Sequence, residues 1–84
     1  MPEVEVYTTP VCPYCSAAKE LLRRKGVPFL EIDVAGEPQR RAEMVARANG
    51  RTTVPQVFVG DTHLGGCDDL YALDDAGELD RLTT

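Results

Sequence analysis

The stretch VEVYTTPVCPYCSAAKELLRRKGVPFLEIDV, residues Val4 to Val34, constrains the fold more than any other part of the chain. Val4, Val6 and Thr8 alternate with polar neighbours, which predicts a short strand ending at Thr9-Pro10. Pro13 suits the first position of a helix, where its missing N–H is no loss. Ala17, Ala18, Leu21 and Leu22 then recur at helical spacing. Arg23, Arg24 and Lys25 place cations at the negative end of the helix dipole, and Gly26 stops it. Val27 to Val34 is rich in apolar and β-branched residues and reads as a second strand. Strand, helix, strand in so short a span is a βαβ unit, whose crossover is right-handed and whose strands pair in parallel.

The remaining chain completes an α/β domain. Glu37 to Gly50 predicts a second helix, with Pro38 inside its start, a Met44, Val45 and Ala48 stripe, and Gly50 as its stop. PQVFVGDTHLGG predicts two short strands around a Gly60-Asp61 turn, a β-hairpin. Cys67 to Leu82 reads as one third helix with Leu70 and Leu73 inward and a frayed last turn. The expected architecture is a mixed four-stranded sheet flanked by helices on both faces. No linker, repeat or low-complexity tract interrupts it, so residues 1–84 read as one domain.

A chain of 84 residues is only marginally stabilised by burial, so a disulfide or metal staple has to be weighed. The formal net charge of -5 argues against nucleic-acid binding, which needs a basic surface. The charge is uneven: residues 19–51 carry eight basic and five acidic side chains, whereas residues 61–84 carry seven acidic and one basic. Two oppositely charged solvated faces account for this. A positive patch beside the cysteines, drawing in a small anionic partner, is the sharper reading. The N-terminal MPEVEVY lacks the features of a secretory signal, and no run reaches transmembrane length, which predicts a cytoplasmic protein without membrane contact. With three cysteines in such a compartment, a purely structural disulfide is disfavoured.

Cys12 and Cys15 fall at the start of the first helix. With Cys12 as N-cap and Cys15 as the third helical residue, the two side chains share one side of the helix, within disulfide reach. A thiol at a helix N-terminus faces unpaired N–H groups and the positive end of the dipole, and such a setting lowers a thiol pKa from about 8.5 to between about 3.5 and 7.5. At an illustrative value of about 5, the thiolate fraction near neutrality rises roughly thirty-fold, while nucleophilicity falls by a similar factor. The gain is therefore in departure from a mixed disulfide, not in attack. Pro13 stiffens the turn, and Tyr14 is placed to cover the sulfur or contact a substrate. The rival is a zinc site of Cys12, Cys15, His63 and Cys67. The run of CPYC straight into a helix, beside a βαβ unit, favours redox chemistry and no metal.

Here the chain resembles a glutaredoxin of the small bacterial dithiol type. The resemblance covers the whole sequence and is carried by YTTPVCPYC, by Thr53-Val54-Pro55 and by Gly65-Gly66-Cys67-Asp68-Asp69, in that order. CPYC is the glutaredoxin form of the active-site tetrad, whereas thioredoxins typically carry a Trp-flanked Cys-Gly-Pro-Cys.

The resemblance implies a thioredoxin fold, a monomer, and glutathione as reductant. It implies that Cys12 is the nucleophile and Cys15 the resolving thiol, acting on protein disulfides and glutathionylated proteins, with ribonucleotide reductase as one acceptor the family allows. It further implies a cis Val54-Pro55 bond, with the Val54 backbone pairing to the cysteinyl part of glutathione like an added strand. Tyr14 and Pro55 would line the groove. Gly66, with the Cys67 and Asp68 N–H groups at a helix N-terminus, would hold the γ-glutamyl carboxylate, and Asp69 or Asp68 the ammonium. Thr53 and Arg41 are candidates for the glycyl carboxylate. Family members often carry a Lys shortly before the first cysteine; Thr9 stands there, which predicts weaker glutathione binding. Two other functions compete: a [2Fe–2S] carrier using Cys12 and glutathione, disfavoured by Pro13 and Cys15, and a dithiol donor reduced by thioredoxin reductase, disfavoured by GGCDDL. Cys67 reads as a packed small thiol, His63 as a surface residue, and Tyr7, Phe58 and Tyr71 as packing.

Overall fold

A computed structural model describes residues 3–83. In chain order they form β1 (Val4–Thr8), α1 (Pro13–Arg24), β2 (Leu30–Asp33), α2 (Pro38–Arg47), β3 (Gln56–Val59), β4 (Thr62–Gly65), α3 (Cys67–Asp75) and α4 (Glu78–Thr83). The sheet order is β2-β1-β3-β4. β1 and β2 pair in parallel, with Glu5 opposite Leu30 and Thr8 opposite Asp33. β3 runs antiparallel to both neighbours, with Tyr7 opposite Gln56 on β1 and Phe58 opposite His63 on β4. This is the expected mixed four-stranded sheet.

Period-two alternation in the two central strands divides the core. Val4, Val6, Val57 and Val59 face α1, α3 and α4, where they pack with Ala18, Leu21, Leu22, Leu70 and Leu79. Tyr7 and Phe58 face α2 and pack with Val34, Met44 and Ala48. Their rings meet edge to face, 5.6 Å apart. The Met44, Val45 and Ala48 stripe thus docks as its spacing predicts.

Two boundaries differ from the sequence reading. β2 begins only at Leu30. Val27 donates its N–H to Leu22 O at 2.9 Å, closing the end of α1, and Pro28 has no N–H to give a ladder. The expected single C-terminal helix is two helices. Gly77, at φ +76°, takes a left-handed conformation and turns the chain between α3 and α4. The last segment is not frayed, because Leu79 on α4 is fully buried and Lys25 pairs with Asp74 and Asp80 at 2.9 and 3.0 Å. Among the described residues no helix is long and apolar enough to cross a membrane.

Arg47 holds the α2 face together. Its guanidinium donates to Tyr7 Oη at 2.8 Å, Glu5 Oε1 at 3.0 Å and the Gly60 carbonyl at 3.1 Å. It also lies over the Phe58 ring, 4.2 Å from the centroid. Arg47→Met keeps the apolar stem and deletes the fork. Leaving these acceptors without their charged donor is expected to cost about 2 kcal/mol, and so to lower the thermal midpoint by about 10 °C. A scanning-calorimetry midpoint equal to wild type would show that Arg47 is only a surface ornament of α2.

Candidate functional site

Three junctions meet at one end of the sheet: the exit of β1 into α1, the entry to β3, and the passage from β4 into α3. Each carries one sequence signature. Cys12 is the N-cap of α1, extended at φ -144° and ψ 106°, and Pro13 follows in the first turn. The Cys15 N–H reaches Cys12 Sγ at 3.1 Å, so a backbone donor points at this sulfur. The Cys12 thiol in turn donates to the Val54 carbonyl at 3.8 Å, which ties the first junction to the second. Val54-Pro55 is cis, as the resemblance implied.

The three sulfurs differ in access. Cys12 is half-buried, whereas Cys15 and Cys67 are buried at 1% and 8% exposure. Burial, reinforced by the adjacent Cys12 sulfur, pushes the Cys15 thiol well above the usual thiol range, and the Thr9 N–H and Lys19 pull the other way without reversing it. Cys15 therefore keeps its proton while both thiols are reduced. Cys67 is raised as well, by burial and then by Asp68 and Cys12. It packs in the α1-side core, as a small apolar thiol does.

Beside Cys12 runs a groove whose walls are Tyr14 from α1, Thr53 to Pro55 from the β3 entry, and Gly66 to Asp69 from the start of α3. Eight of the nine residues assigned to glutathione from the sequence, all but Arg41, thus line one surface. Tyr14 is 64% exposed, an unusual state for a large aromatic and one that leaves its ring available at the rim. Gly65, at φ +110°, shapes the wall: a Cβ there would sit 2.3 Å from Asp69 Oδ2. The close approach lets Asp69 Oδ2 accept the Gly66 N–H at 2.9 Å, an acid three residues into the helix reaching back to its cap.

Arg51 is a groove residue the sequence reading missed. It lines the wall and pairs with Asp69 Oδ2 at 3.0 Å. Its position in GRTTVP, two residues before Thr53, was the available signal. The Gly66 N–H and then Arg51 hold the Asp69 carboxyl below the usual carboxylate range. Arg41, proposed from the sequence together with Thr53 for the glycyl carboxylate, is not among the residues lining this groove. Its Nη2 donates to the Thr52 carbonyl at 2.9 Å, bracing the loop from α2. Of the eight basic side chains in residues 19–51, four, Lys19, Lys25, Arg47 and Arg51, are each bound to an acid.

His63 is not a free surface residue. Its ring stacks on Phe58, 5.0 Å between centroids, and Nε2 lies 2.7 Å from Gln56 Oε1. The rival zinc set of Cys12, Cys15, His63 and Cys67 does not assemble: among the described residues no group of three or more His, Cys, Asp or Glu side chains is placed to hold a metal ion.

A thiol N-capping a helix, with a buried partner three residues on and a cis-proline loop against its sulfur, defines a thiol redox protein of the thioredoxin fold. Within that class the chain belongs to the glutaredoxin family, whose model matches residues 4–64. It is 61% identical over 82 residues to a glutaredoxin of Pseudomonas aeruginosa, covering 98% of this chain and 96% of the relative. Its identity to glutaredoxin 3 of Escherichia coli is 56% over 82 residues, with 98% of both chains covered, so the protein is glutaredoxin 3-like. The fold matches a buckwheat glutaredoxin solved in complex with glutathione at a TM-score of 0.89 and 29% identity, covering 98% of this chain and 76% of the other.

Proposed function

We propose that the protein is a glutathione-dependent disulfide oxidoreductase, in which Cys12 takes up the substrate sulfur and Cys15 or glutathione releases it. The observation that carries this reading is the pairing of an accessible N-cap sulfur, hydrogen-bonded to Val54 in the groove wall, with a buried, protonated partner. The Cys12 thiolate attacks a substrate disulfide, forming a mixed disulfide and expelling the other substrate sulfur as a thiolate. Cys15 then loses its proton and attacks Cys12 Sγ, releasing the second substrate thiolate and leaving the Cys12–Cys15 disulfide. One glutathione opens that disulfide onto Cys12. A second attacks the glutathione sulfur, yielding glutathione disulfide and the dithiol protein, with two electrons transferred in all. From a glutathionylated protein, Cys12 takes the glutathione sulfur directly and Cys15 is not needed.

In the groove, the Val54 backbone pairs with the cysteinyl unit and the N-terminus of α3 receives the γ-glutamyl carboxylate. Asp69 receives the ammonium, exchanging Arg51 for the ligand, and Arg51 is then freed for a ligand carboxylate. An NADPH-coupled assay with glutathione reductase tests the reading: turnover of a glutathionylated substrate should saturate with glutathione and vanish without it. Activity supported by thioredoxin reductase alone would refute it.

Asp69→Asn is expected to raise the Michaelis constant for glutathione about ten-fold, the scale of one charge-assisted hydrogen bond. The pH dependence has a definite sign. Because the Asp69 carboxyl is held below its usual range, its charge persists throughout the working range and is lost only as pH falls through the lowered value. The ratio of mutant to wild-type constants should therefore stay flat from about pH 5 to 8, both above the ordinary carboxylate pKa. A ratio that collapses to unity within that window would contradict the assignment.

A further inference from the structure

Behind the Thr53–Pro55 segment lies a buried amide for which the reaction so far has no task. Gln56 opens β3 at 0% exposure. Its Nε2 donates to the Thr53 carbonyl at 2.9 Å and to Thr53 Oγ1 at 3.3 Å. Its Oε1 lies 2.7 Å from His63 Nε2. The partners fix every role in this chain. A carbonyl only accepts, so Gln56 must turn its NH2 toward Thr53 and its oxygen toward His63. That oxygen needs a donor, so the imidazole carries its proton on Nε2. At the other end the Thr53 hydroxyl has accepted from Gln56, which leaves its own proton to be given elsewhere. Thr53 lines the groove. The His63 ring is held in this direction by its stack on Phe58, its opposite residue in the β3–β4 pairing.

We infer that His63, which does not itself line the groove, is a positioning residue for glutathione: through Gln56 it sets the direction of a hydrogen-bond chain ending in a Thr53 hydroxyl that donates to a ligand carboxylate. The inference rests on the glutathione reading of the groove. Without a donor at position 63, the Gln56 oxygen is left buried and unpartnered. If the amide turns over to escape this, its oxygen faces Thr53 and draws the hydroxyl proton to itself. Turning over withdraws the donor from the ligand outright; staying put leaves a buried unpaired oxygen that loosens the amide's hold on Thr53.

The test separates the stack from the donor. His63→Phe keeps an aromatic ring against Phe58 and removes the N–H; His63→Gln restores a donor without the ring. In the NADPH-coupled assay, His63→Phe should raise the Michaelis constant for glutathione about five-fold, the equivalent of one hydrogen bond, with kcat at saturating glutathione changed less than about two-fold. His63→Gln should return the constant to within about two-fold of wild type. An unchanged constant in His63→Phe, equal falls in kcat and kcat/KM, or failure of His63→Gln to rescue would each overturn the inference. Wild-type saturation by glutathione alongside any of these leaves the proposed function intact; loss of wild-type saturation removes both. Independently of any variant, nitrogen-15 NMR of the reduced wild-type protein should find the His63 proton on Nε2. A proton on Nδ1 alone would sink the proposal.

Discussion

Cys12→Ser is expected to abolish both deglutathionylation and protein-disulfide reduction, lowering kcat/KM by at least about a thousand-fold, the scale on which loss of a covalent nucleophile acts. Serine at position 12 still caps α1, because a hydroxyl accepts the Cys15 N–H as the sulfur does at 3.1 Å. The fold and the groove should therefore persist, and the thermal midpoint should move little. What disappears is a sulfur able to exchange disulfides. Neither remaining thiol can substitute, since Cys15 and Cys67 are buried and both are pushed toward the protonated form. The check is the coupled assay run on a glutathionylated substrate and on a protein disulfide. Survival of either reaction would show that the nucleophile had been misassigned.

Cys15→Ser should divide the two reactions. The N–H that faces Cys12 belongs to the backbone of residue 15, so the substitution leaves it in place. Deglutathionylation, in which glutathione itself resolves the mixed disulfide, should stay within about two-fold of wild type. Reduction of a protein disulfide should fall at least ten-fold, because a neighbouring thiol held in position acts at an effective concentration that free glutathione cannot match. The measurement is the ratio of the two kcat/KM values in parallel assays. Equal loss of both reactions would mean that Cys15 serves the reactivity of Cys12 rather than release of substrate. No loss in either would make it a packing residue.

Much of this architecture was legible before any coordinates. The alternation of Val4, Val6 and Thr8, the proline at position 13 and the helical spacing to Leu22 define the βαβ unit because each is a local signal with one outcome. The groove was legible for a different reason: its walls are three short motifs, and family resemblance carried them together even though they are far apart in sequence. Apart from the late start of β2, which Pro28 and the close of α1 explain locally, the misses are non-local. Gly77 reads equally well as a helix end or as a tolerated interior glycine, and only burial of Leu79 on a separate helix decides. Arg41 and Arg51 look alike in sequence, and what separates them is that one bonds the Thr52 carbonyl from α2 while the other reaches Asp69 across the groove. His63 seemed a hairpin surface residue because its partners, Gln56 and Phe58, lie on the adjacent strand, and cross-strand pairing is invisible to periodicity.

The central claim is a division of labour between two neighbouring sulfurs, one open and reactive, the other enclosed and holding its proton. Brief alkylation of the fully reduced protein by iodoacetamide near neutral pH, followed by peptide mass mapping, tests it most directly. The account predicts a single early label, on Cys12, with Cys15 and Cys67 modified only after the protein is unfolded. Early labelling of Cys15 at a rate equal to or above that of Cys12 would contradict it.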